Sequence, residues 1–338
     1  MDEGRTLETA TVRLWPGEDR RSCCSPGALQ MAARTASHLG LSHHVLDRER
    51  EFAADVVEPF VAGYLAGETP NPCVVCNPGR LAGLVGLAEE LGLARVATGH
   101  YARIVWRDGE PFVARGADPV KDQSYMLWAV PPDVLARLEF PLGDMTKSET
   151  RAAAERAQLP SAAEPESQEV CFAVEGYQRF LEERDVAARQ GPIVTRDGAV
   201  IGTHEGQWRF TVGQRRGLNV SASQPLFVLE RRATGNVVVA GAREELLRDE
   251  VLLRGVVDRG LDDPAGLEVQ LRYRSPAVRV AGLELHSHKR ATVRLDKPFA
   301  GVAAGQSAVF YRGDVVVGGG LVTASGPASG ECDTLRGS

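Results

Sequence analysis

The chain has 338 residues, of which 43% are hydrophobic and 25% are charged. This composition is typical of a globular protein with two or three domains and excludes a largely disordered chain. The formal net charge of −6 gives no support for a nucleic-acid partner, because a negative protein repels phosphate, although a local basic face can still bind one. No apolar run reaches the ~20 residues of a membrane helix, and the N-terminus lacks an apolar signal segment, so we expect a cytoplasmic protein.

The first half of the chain alternates helices with strands. Apolar spacing predicts helices over 26–39, 51–65, 81–91 and 148–158, and strands over 44–46 and 94–98. Ser148 is the predicted N-cap of the last helix. Such alternation predicts a parallel sheet, which binds ligands at the carboxyl ends of its strands. The segment 69–79, TPNPCVVCNPG, contains three prolines and is predicted to form a turn-rich loop.

The second half of the chain has the pattern of β structure. Residues 193–202, IVTRDGAVIG, predict a hairpin with Asp197 and Gly198 at its turn, and short β runs follow. We therefore predict an α/β plus β fold. Its parts are a Rossmann-like parallel-sheet domain over 1–174, a small central domain over 175–245, a β-barrel over 246–326 and a disordered tail over 327–338.

Six cysteines in a long cytosolic chain do not predict a disulfide framework. Three have simpler explanations, near a helix start or in the polar tail: Cys23, Cys24 and Cys332. Three remain as candidates for chemistry: Cys73, Cys76 and Cys171. The pair Cys73 and Cys76 fits half a zinc site, a redox pair or a nucleophilic thiol on a loop. No second zinc-binding pair stands at usable spacing, and the proline-rich context does not predict the helix that a thioredoxin-type pair opens. All three interpretations stay open at this point.

Two short polar motifs accompany the cysteines. Thr98-Gly99-His100-Tyr101 follows a predicted strand, at a carboxyl end where ligands bind. Residues 121–125, KDQSY, combine a cation, an anion, an amide and an aromatic ring. Taken alone, each motif is also compatible with an ordinary solvated turn.

Seven segments occur in the order and spacing of one known family. They are TPNPCVVCN, ATGHYAR, KDQSY, ESQEVCF, IGTHEGQWRFTVGQRRGL, RYRSP and AGQSAVFYRGDVVVGGG. The series closely resembles the tRNA-specific 2-thiouridylase family, from about residue 4 to residue 322. The resemblance implies an N-terminal domain of the adenine-nucleotide alpha-hydrolase type, then a small central domain and a C-terminal β-barrel.

The resemblance implies an ATP-dependent sulfurtransferase that acts on the wobble uridine of tRNA. ATP, with Mg²⁺, activates the 2-carbonyl oxygen, and a protein persulfide supplies sulfur, giving 2-thiouridine, AMP and pyrophosphate. By resemblance Cys76 is the nucleophile and Cys171 the persulfide carrier, and the two form a disulfide during the cycle. The implied partners are tRNA and a sulfur-donor protein, either a cysteine desulfurase or a relay.

The resemblance also gives further residues a role in binding the two substrates. Asn71, Pro72 and Cys73 face the target base, which must leave the base stack to react. Gly99 and Val12 contact ATP. The residues implied to contact tRNA are His100, Lys121, Asp122, Gln123, Arg272, Tyr273 and Gln306.

One motif of the family has no counterpart in this sequence. The Ser-Gly-Gly-x-Asp-Ser loop holds the ATP phosphates on its backbone N–H groups, whereas here Gly4 and residues 12–15 match the segment that follows it. We expect either that the protein begins upstream of Met1 or that it is a non-enzymatic tRNA-binding remnant.

Cys73 raises a second alternative. Three cysteines, here Cys73, Cys76 and Cys171, can hold a [4Fe–4S] cluster with one open iron. An iron–sulfur-dependent tRNA thiolase therefore stands beside the persulfide mechanism, which we favour, with no resident metal.

Overall fold

The structure is a computed structural model that describes residues 6–16, 25–160 and 170–326. The chain divides into two units: the first is Met1–Pro59 with Pro72–Phe180, and the second is Phe60–Asn71 with Leu181–Ser338. By its packing, segment 60–71 thus belongs with the C-terminal half of the chain. The predictions for the tail 327–338 and for Cys23, Cys24 and Cys332 fall outside the described residues.

Helices lie in the first half of the chain and just beyond it. In chain order they are α1 (Pro26–His38), α2 (Glu49–Phe52), α3 (Glu58–Leu65), α4 (Pro72–Glu90), α5 (Pro132–Leu135), α6 (Lys147–Arg156) and α7 (Tyr177–Glu182). A π-helical turn, Ala53–Val57, joins α2 to α3, so the helix predicted over 51–65 is one continuous helical run. No helix in the described part of the chain is long and apolar enough to cross a membrane.

Strands occur in both halves. They are β1 (Thr9–Arg13), β2 (His43–Asp47), β3 (Val96–Ala97), β4 (Ala102–Arg107), β5 (Glu110–Arg115), β6 (Leu138–Glu139), β7 (Gly191–Val194), β8 (Val200–His204), β9 (Phe227–Arg232), β10 (Val237–Gly241), β11 (Leu247–Asp258), β12 (Leu267–Gln270), β13 (Val278–His286), β14 (Arg290–Ala300), β15 (Ser307–Arg312) and β16 (Val315–Gly326).

The parallel strands of the first unit form two separate pairs. β1 pairs with β2, with Thr9 opposite His43, and β3 pairs with β6, with Val96 opposite Leu138. Residues of β1 and β3 line one cavity of about 750 Å³. Among the described residues no strand bridges β1 and β3. The parallel sheet predicted from the sequence is therefore present, and it is interrupted at this cavity.

Helix α4 corrects the prediction of a turn-rich loop over residues 69–79. The helix begins at Pro72 and carries both Cys73 and Cys76 in its first two turns. Proline suits a first helical position, because the N–H that it lacks has no helical partner there and its φ is already helical. Pro78 lies inside the helix and removes one helical hydrogen bond. Pro72 thus marks the start of the helix, and Pro78 leaves one helical hydrogen bond missing within it.

Helix α6 corrects a second prediction, because its N-cap is Thr146 and not Ser148. Thr146 Oγ1 accepts from the Glu149 N–H at 3.3 Å, and the Glu149 carboxylate accepts from the Thr146 N–H at 2.7 Å. This reciprocal pair is a capping box, which satisfies two N–H groups at once. Ser148 has no acidic residue three positions later, and it lies in the first turn instead.

Four strands of the second unit form a small mixed sheet in the order β8-β7-β10-β9. The hairpin predicted over 193–202 is confirmed, with β7 and β8 antiparallel and Gly198 at a φ of 91° in the turn. Neighbouring residues of a strand point to opposite faces. Ile193 and Val194 each lie in a separate apolar cluster, so both faces of the sheet are covered.

Six further strands of this unit close into a barrel. Their order is β11-β14-β13-β12-β15-β16, and β16 pairs back to β11. Closure leaves no free strand edge, and fully buried side chains such as Val251, Val293 and Phe310 belong to its core. The predicted α/β plus β architecture with a C-terminal barrel is therefore confirmed. The domain boundaries at residues 174 and 245 stay predictions.

Replacing Thr146 with Ala is expected to lower the free energy of unfolding by about 1 kcal/mol, because an N–H of the first turn loses its acceptor. Ser148→Ala, in the same turn, is expected to change it by less than about 0.5 kcal/mol, because the Ser148 hydroxyl contacts only the exposed Thr146 hydroxyl among the described contacts and caps no N–H. Urea unfolding of both variants measures the difference. Equal losses in the two variants would contradict the assignment of Thr146 as the cap.

Candidate functional site

The two cysteines of α4 occupy its N-terminal end. Both are reduced thiols; Cys73 is exposed and Cys76 is half-buried. They are three residues apart and so are neighbours on the helix surface. The first turns of a helix carry the positive end of its dipole, which favours a thiolate over a thiol. Although Cys73 is exposed as a residue, its thiol is largely shielded from water. This desolvation raises the pKa of the Cys73 thiol, and the nearby Arg80 cation opposes that rise.

Arg80 joins helix α4 to the motif Thr98-Gly99-His100-Tyr101. Its Nη2 donates to Asn77 Oδ1 at 2.7 Å and to His100 Nε2 at 3.1 Å. Asn77, which is buried, donates in turn to the carbonyl of Met126 at 2.9 Å. A continuous chain of hydrogen bonds therefore ties the helix, within one turn of Cys76, to two loops of the first unit.

His100 is held as a neutral ring. Because arginine only donates, Nε2 must accept, and the ring proton is placed on Nδ1, from which it donates to Thr98 Oγ1 at 2.7 Å. His100 is 8% exposed, and its ring packs edge-to-face against Phe140. Burial first, and the Arg80 charge second, lower the pKa of His100 to about 3. Both ring nitrogens are thus engaged within the protein at neutral pH.

The motif over 121–125 is built into the same unit by its own hydrogen bonds. Gln123 Oε1 accepts from the Tyr101 N–H at 3.0 Å, and the Gln123 N–H donates to the Tyr101 carbonyl at 2.9 Å. Asp122 Oδ1 accepts from two backbone N–H groups at 3.0 Å each. Asp122 and Gln123 therefore hold the loop beside His100. Their contact with tRNA, and that of Lys121, stays a prediction.

The cavity between β1 and β3 contains both residues predicted to contact ATP. Val12 and Gly99 line it together with Arg80, and leucines of α4 supply an apolar wall. A Cβ on Gly99 would meet only Leu142, at 3.6 Å, so a ligand can approach the backbone there. Arg80 adds a cation whose buried Nε has no hydrogen-bond partner among the described residues. Arg95, Glu8 and Glu139 line the cavity as well. Its apolar wall and its two arginines fit an adenine nucleotide.

Cys171 lies in a turn that the neighbouring Phe172 fixes. The Phe172 side chain is 5% exposed. Its ring centroid is 4.9–6.1 Å from three other aromatic rings, those of Trp15, Phe52 and Phe180. This packing anchors the backbone of residue 172 while the Cys171 thiol stays half-buried. Residues 161–169, which lead to this turn, lie outside the described part of the chain.

The remaining predicted contacts lie in the second unit: Asn71, Arg272, Tyr273 and Gln306. Arg272 is exposed, and the Arg274 guanidinium stacks on the Tyr273 ring at 5.1 Å from its centroid. Gln306 Nε2 donates to the carbonyl of Thr69 at 2.6 Å. The roles of these residues in binding tRNA stay predictions, as does the contact of Asn71, Pro72 and Cys73 with the target base.

Among the described side chains, no group of three or more His, Cys, Asp or Glu could hold a metal ion. Sequence reasoning also missed two residues of the network, Asn77 and Arg80. Asn77 and Arg80 are three residues apart and so share a face of helix α4. The sequence predicted a loop for the segment that contains Asn77, so this shared face was not expected.

Family models match the chain in three consecutive parts. A tRNA methyl transferase HUP domain matches residues 1–175, a tRNA methyl transferase PRC-barrel domain matches 178–242, and an aminomethyltransferase beta-barrel domain matches 256–322. The first model alone spans more than half of the chain.

Curated relatives match nearly all of the chain. The tRNA-specific 2-thiouridylase MnmA of Sorangium cellulosum (strain So ce56) is 43% identical, over 96% of this chain and 87% of the relative. The protein of the same name from Acidithiobacillus ferrooxidans (strain ATCC 53993 / BNL-5-31) is 41% identical, over 95% and 92%. A bifunctional protein NifU/MnmA of Rubrobacter xylanophilus is 45% identical, over 95% of this chain and 65% of the relative. At this identity and coverage, the chain belongs to the tRNA-specific 2-thiouridylase (MnmA) family.

Proposed function

We propose that this chain is a tRNA-specific 2-thiouridylase, a sulfurtransferase that uses ATP to convert the wobble uridine of tRNA to 2-thiouridine. The observation that carries the proposal is that two reduced thiols, Cys76 and Cys171, each stand on a rigid support. Relatives with this name support it. The names of two of the family models refer to methyl transfer. That reaction would give neither thiol a role.

In this mechanism Cys171 carries the sulfur as a persulfide, which a cytoplasmic sulfur-donor protein loads. The terminal persulfide sulfur forms a bond to C2 of the activated uridine, and the adenylated oxygen leaves as AMP. The Cys76 thiolate then attacks Cys171 Sγ and breaks the bond between the two sulfurs. The electron pair goes to the sulfur on C2, which becomes the thiocarbonyl as N3 takes up a proton. A Cys76–Cys171 disulfide remains, and an external thiol reductant must reduce it before the next cycle.

ATP activates the uridine by adenylating its 2-carbonyl oxygen, with release of pyrophosphate. Mg²⁺ is expected to bind together with the nucleotide. Val12 and Gly99 hold the nucleotide against the cavity wall, and Arg80 offsets phosphate charge. His100 contributes to the site through the Arg80 guanidinium that it orients, since its own ring carries no charge at neutral pH. Lys121 and the exposed Arg272 contribute positive charge toward tRNA.

Cys171→Ser is expected to abolish 2-thiouridine formation and to leave the Kd for tRNA within about threefold, because the hydroxyl carries no sulfur but keeps the shape of the site. Mass spectrometry of digested tRNA measures the product, and filter binding measures Kd. Formation of 2-thiouridine by this variant would contradict the assignment of Cys171 as the sulfur carrier.

In assays without small thiols, Cys76→Ser is expected to stop the reaction at a later step, after sulfur has bonded to C2. The sulfur on C2 stays bound to Cys171, so the variant accumulates a protein–tRNA adduct that dithiothreitol cleaves. Denaturing gel electrophoresis detects it. Release of free 2-thiouridine-containing tRNA in a single turnover, without an adduct, would contradict the role of Cys76.

Cys73→Ser separates the persulfide mechanism from the iron–sulfur alternative. The persulfide mechanism leaves Cys73 without a covalent role, so the rate of 2-thiouridine formation is expected to stay within about threefold of wild type. A cluster held by three cysteines would lose a ligand. Loss of activity together with loss of bound iron, after anaerobic purification, would favour the iron–sulfur enzyme.

His100→Gln is expected to flatten the pH dependence of stability. The folded-state pKa of about 3 lies below the ordinary value of 6.5, so the unfolded state binds a proton first as pH falls. The stability due to neutral His100 is full above pH 6.5 and declines below it, by about 2 kcal/mol at pH 5. Urea unfolding at pH 7.5 and pH 5 should show this extra loss in wild type only. Equal losses in both proteins would show that His100 titrates normally.

A further inference from the structure

Residues 211–217 form a loop of the second unit whose two ends are buried. The loop follows Phe210 and precedes Leu218, which are 6% and 4% exposed. Both side chains belong to one apolar cluster, together with Ile193 of β7 and Val228 of β9. Burial therefore fixes the loop at both ends, whereas residues 215–217 near its end are exposed.

Gln214 holds the middle of this loop. Its Oε1 accepts from the Thr211 N–H at 3.0 Å, and its Nε2 donates to the carbonyl of Arg216 at 2.7 Å. The backbone adds two bonds to β9. The Gly213 N–H donates to the carbonyl of Val228 at 2.8 Å, and the Val228 N–H donates to the carbonyl of Gln214 at 2.9 Å. These four bonds hold the loop in one conformation.

The loop presents two adjacent cations to solvent, Arg215 and Arg216. Both residues are exposed, and neither guanidinium makes a hydrogen bond or an ion pair with a described residue. Because neighbouring positive charges repel each other, an anion that binds beside both of them is favoured. The guanidinium also presents its N–H groups in a planar fork that matches a phosphate or a carboxylate.

Arg272, which follows β12 of the barrel, adds a third cation beside the loop. Its Nη1 lies 3.8 Å from the position that a Cβ on Gly213 would take, and 3.3 Å from that of a Cβ on Gly301. The absence of a side chain at both glycines leaves room for the guanidinium against the loop. Arg272 is exposed too, and its guanidinium has no hydrogen-bond or ion-pair partner among the described residues. Three exposed arginines thus cluster at this loop.

We propose that Arg215, Arg216 and Arg272 form a binding surface for the phosphate backbone of tRNA, and that Gln214 holds this surface ready. The choice of RNA as the partner rests on the proposed function, in which tRNA is the substrate. Arginine binds phosphate through paired hydrogen bonds, and a loop that is already ordered loses little conformational entropy on binding. The net charge of the chain is −6, so this arginine surface supplies locally an attraction for RNA that the whole chain lacks.

The test compares two double variants that remove the same charge. Arg215→Gln/Arg216→Gln changes the arginine surface. Lys289→Gln/Arg290→Gln is the matched control, because these two residues are also an adjacent, exposed basic pair whose side chains have no described partner. The control pair lies at the start of the 11-residue strand β14, whereas Gly301 directly follows the end of that strand. All four substitutions are on the surface, so both variants are expected to fold.

The first readout is the binding of unmodified tRNA over a series of KCl concentrations, without ATP or a sulfur source, followed by fluorescence anisotropy. Loss of two phosphate contacts is expected to make the slope of log K against log salt shallower by about 1.4–1.8, and to raise Kd about tenfold or more at ~0.1 M salt. The control pair is expected to keep its slope within about 0.4 and its Kd within about threefold of wild type. Equal changes in the two pairs would show an effect of net charge alone and overturn the proposal, as would an unchanged slope in the arginine pair.

Two single variants test the other members of the surface in the same assay. Arg272→Gln is expected to make the slope shallower by about 0.7–0.9, since it removes one contact. Gln214→Met keeps the size of the side chain and the net charge but loses both side-chain bonds of the loop. Its Kd is expected to rise about threefold to tenfold, because the arginines must then be ordered on binding. A wild-type slope in Arg272→Gln, or a wild-type Kd in Gln214→Met, would overturn the role given to that residue.

The second readout is single-turnover formation of 2-thiouridine by persulfide-loaded enzyme. Arg215→Gln/Arg216→Gln is expected to raise the tRNA concentration for half-maximal rate about tenfold and to leave the maximal rate within about threefold, because the surface binds tRNA and touches no reacting atom. A lower maximal rate with an unchanged half-maximal concentration would overturn the proposal. A wild-type protein that binds tRNA through this surface but forms no 2-thiouridine would overturn only the proposed function. A wild-type protein that does not bind tRNA would overturn both.

Discussion

The hydrogen bonds that Asn77 and Arg80 donate hold helix α4 against two loops of the first unit, and the rest of the site depends on that helix. The helix carries Cys73 and Cys76 in its first two turns and Arg80 one turn later. Its leucines also form one wall of the cavity. A rotation of α4 about its axis would therefore move the thiols and the cavity wall together. One helix therefore carries both the proposed sulfur chemistry and a wall of the cavity.

The charge state of His100 follows from the same geometry. Arg80 reaches His100 from the helix at 3.1 Å, and a protonated ring would place two cations at this distance in a buried setting. The neutral ring avoids that repulsion and offers a lone pair to the guanidinium. The contact of His100 with tRNA, which the resemblance implies, stays a prediction. In the structure its neutral ring is a fixed acceptor for the Arg80 guanidinium.

Apolar periodicity was sufficient to predict the alternating helices, the hairpin over 193–202 and the β-rich second half, because these patterns are local. The order of short motifs selected Cys76 and Cys171. The start of α4 was not predictable in the same way, since proline both opens helices and breaks them. The contact of Arg231 with Gly67 joins residues 164 positions apart, and such a contact leaves no periodic trace in the sequence.

Arg80 connects the two chemical steps of the proposed reaction. It lines the cavity, lies one turn beyond Cys76, and has a buried Nε without a hydrogen-bond partner among the described residues. In a site of low dielectric such a cation favours a neighbouring anion. The first step places phosphate charge in the cavity, and the second requires a thiolate on the helix. In the proposed mechanism, a guanidinium that lines the cavity and lies one turn from Cys76 would favour negative charge at both stages.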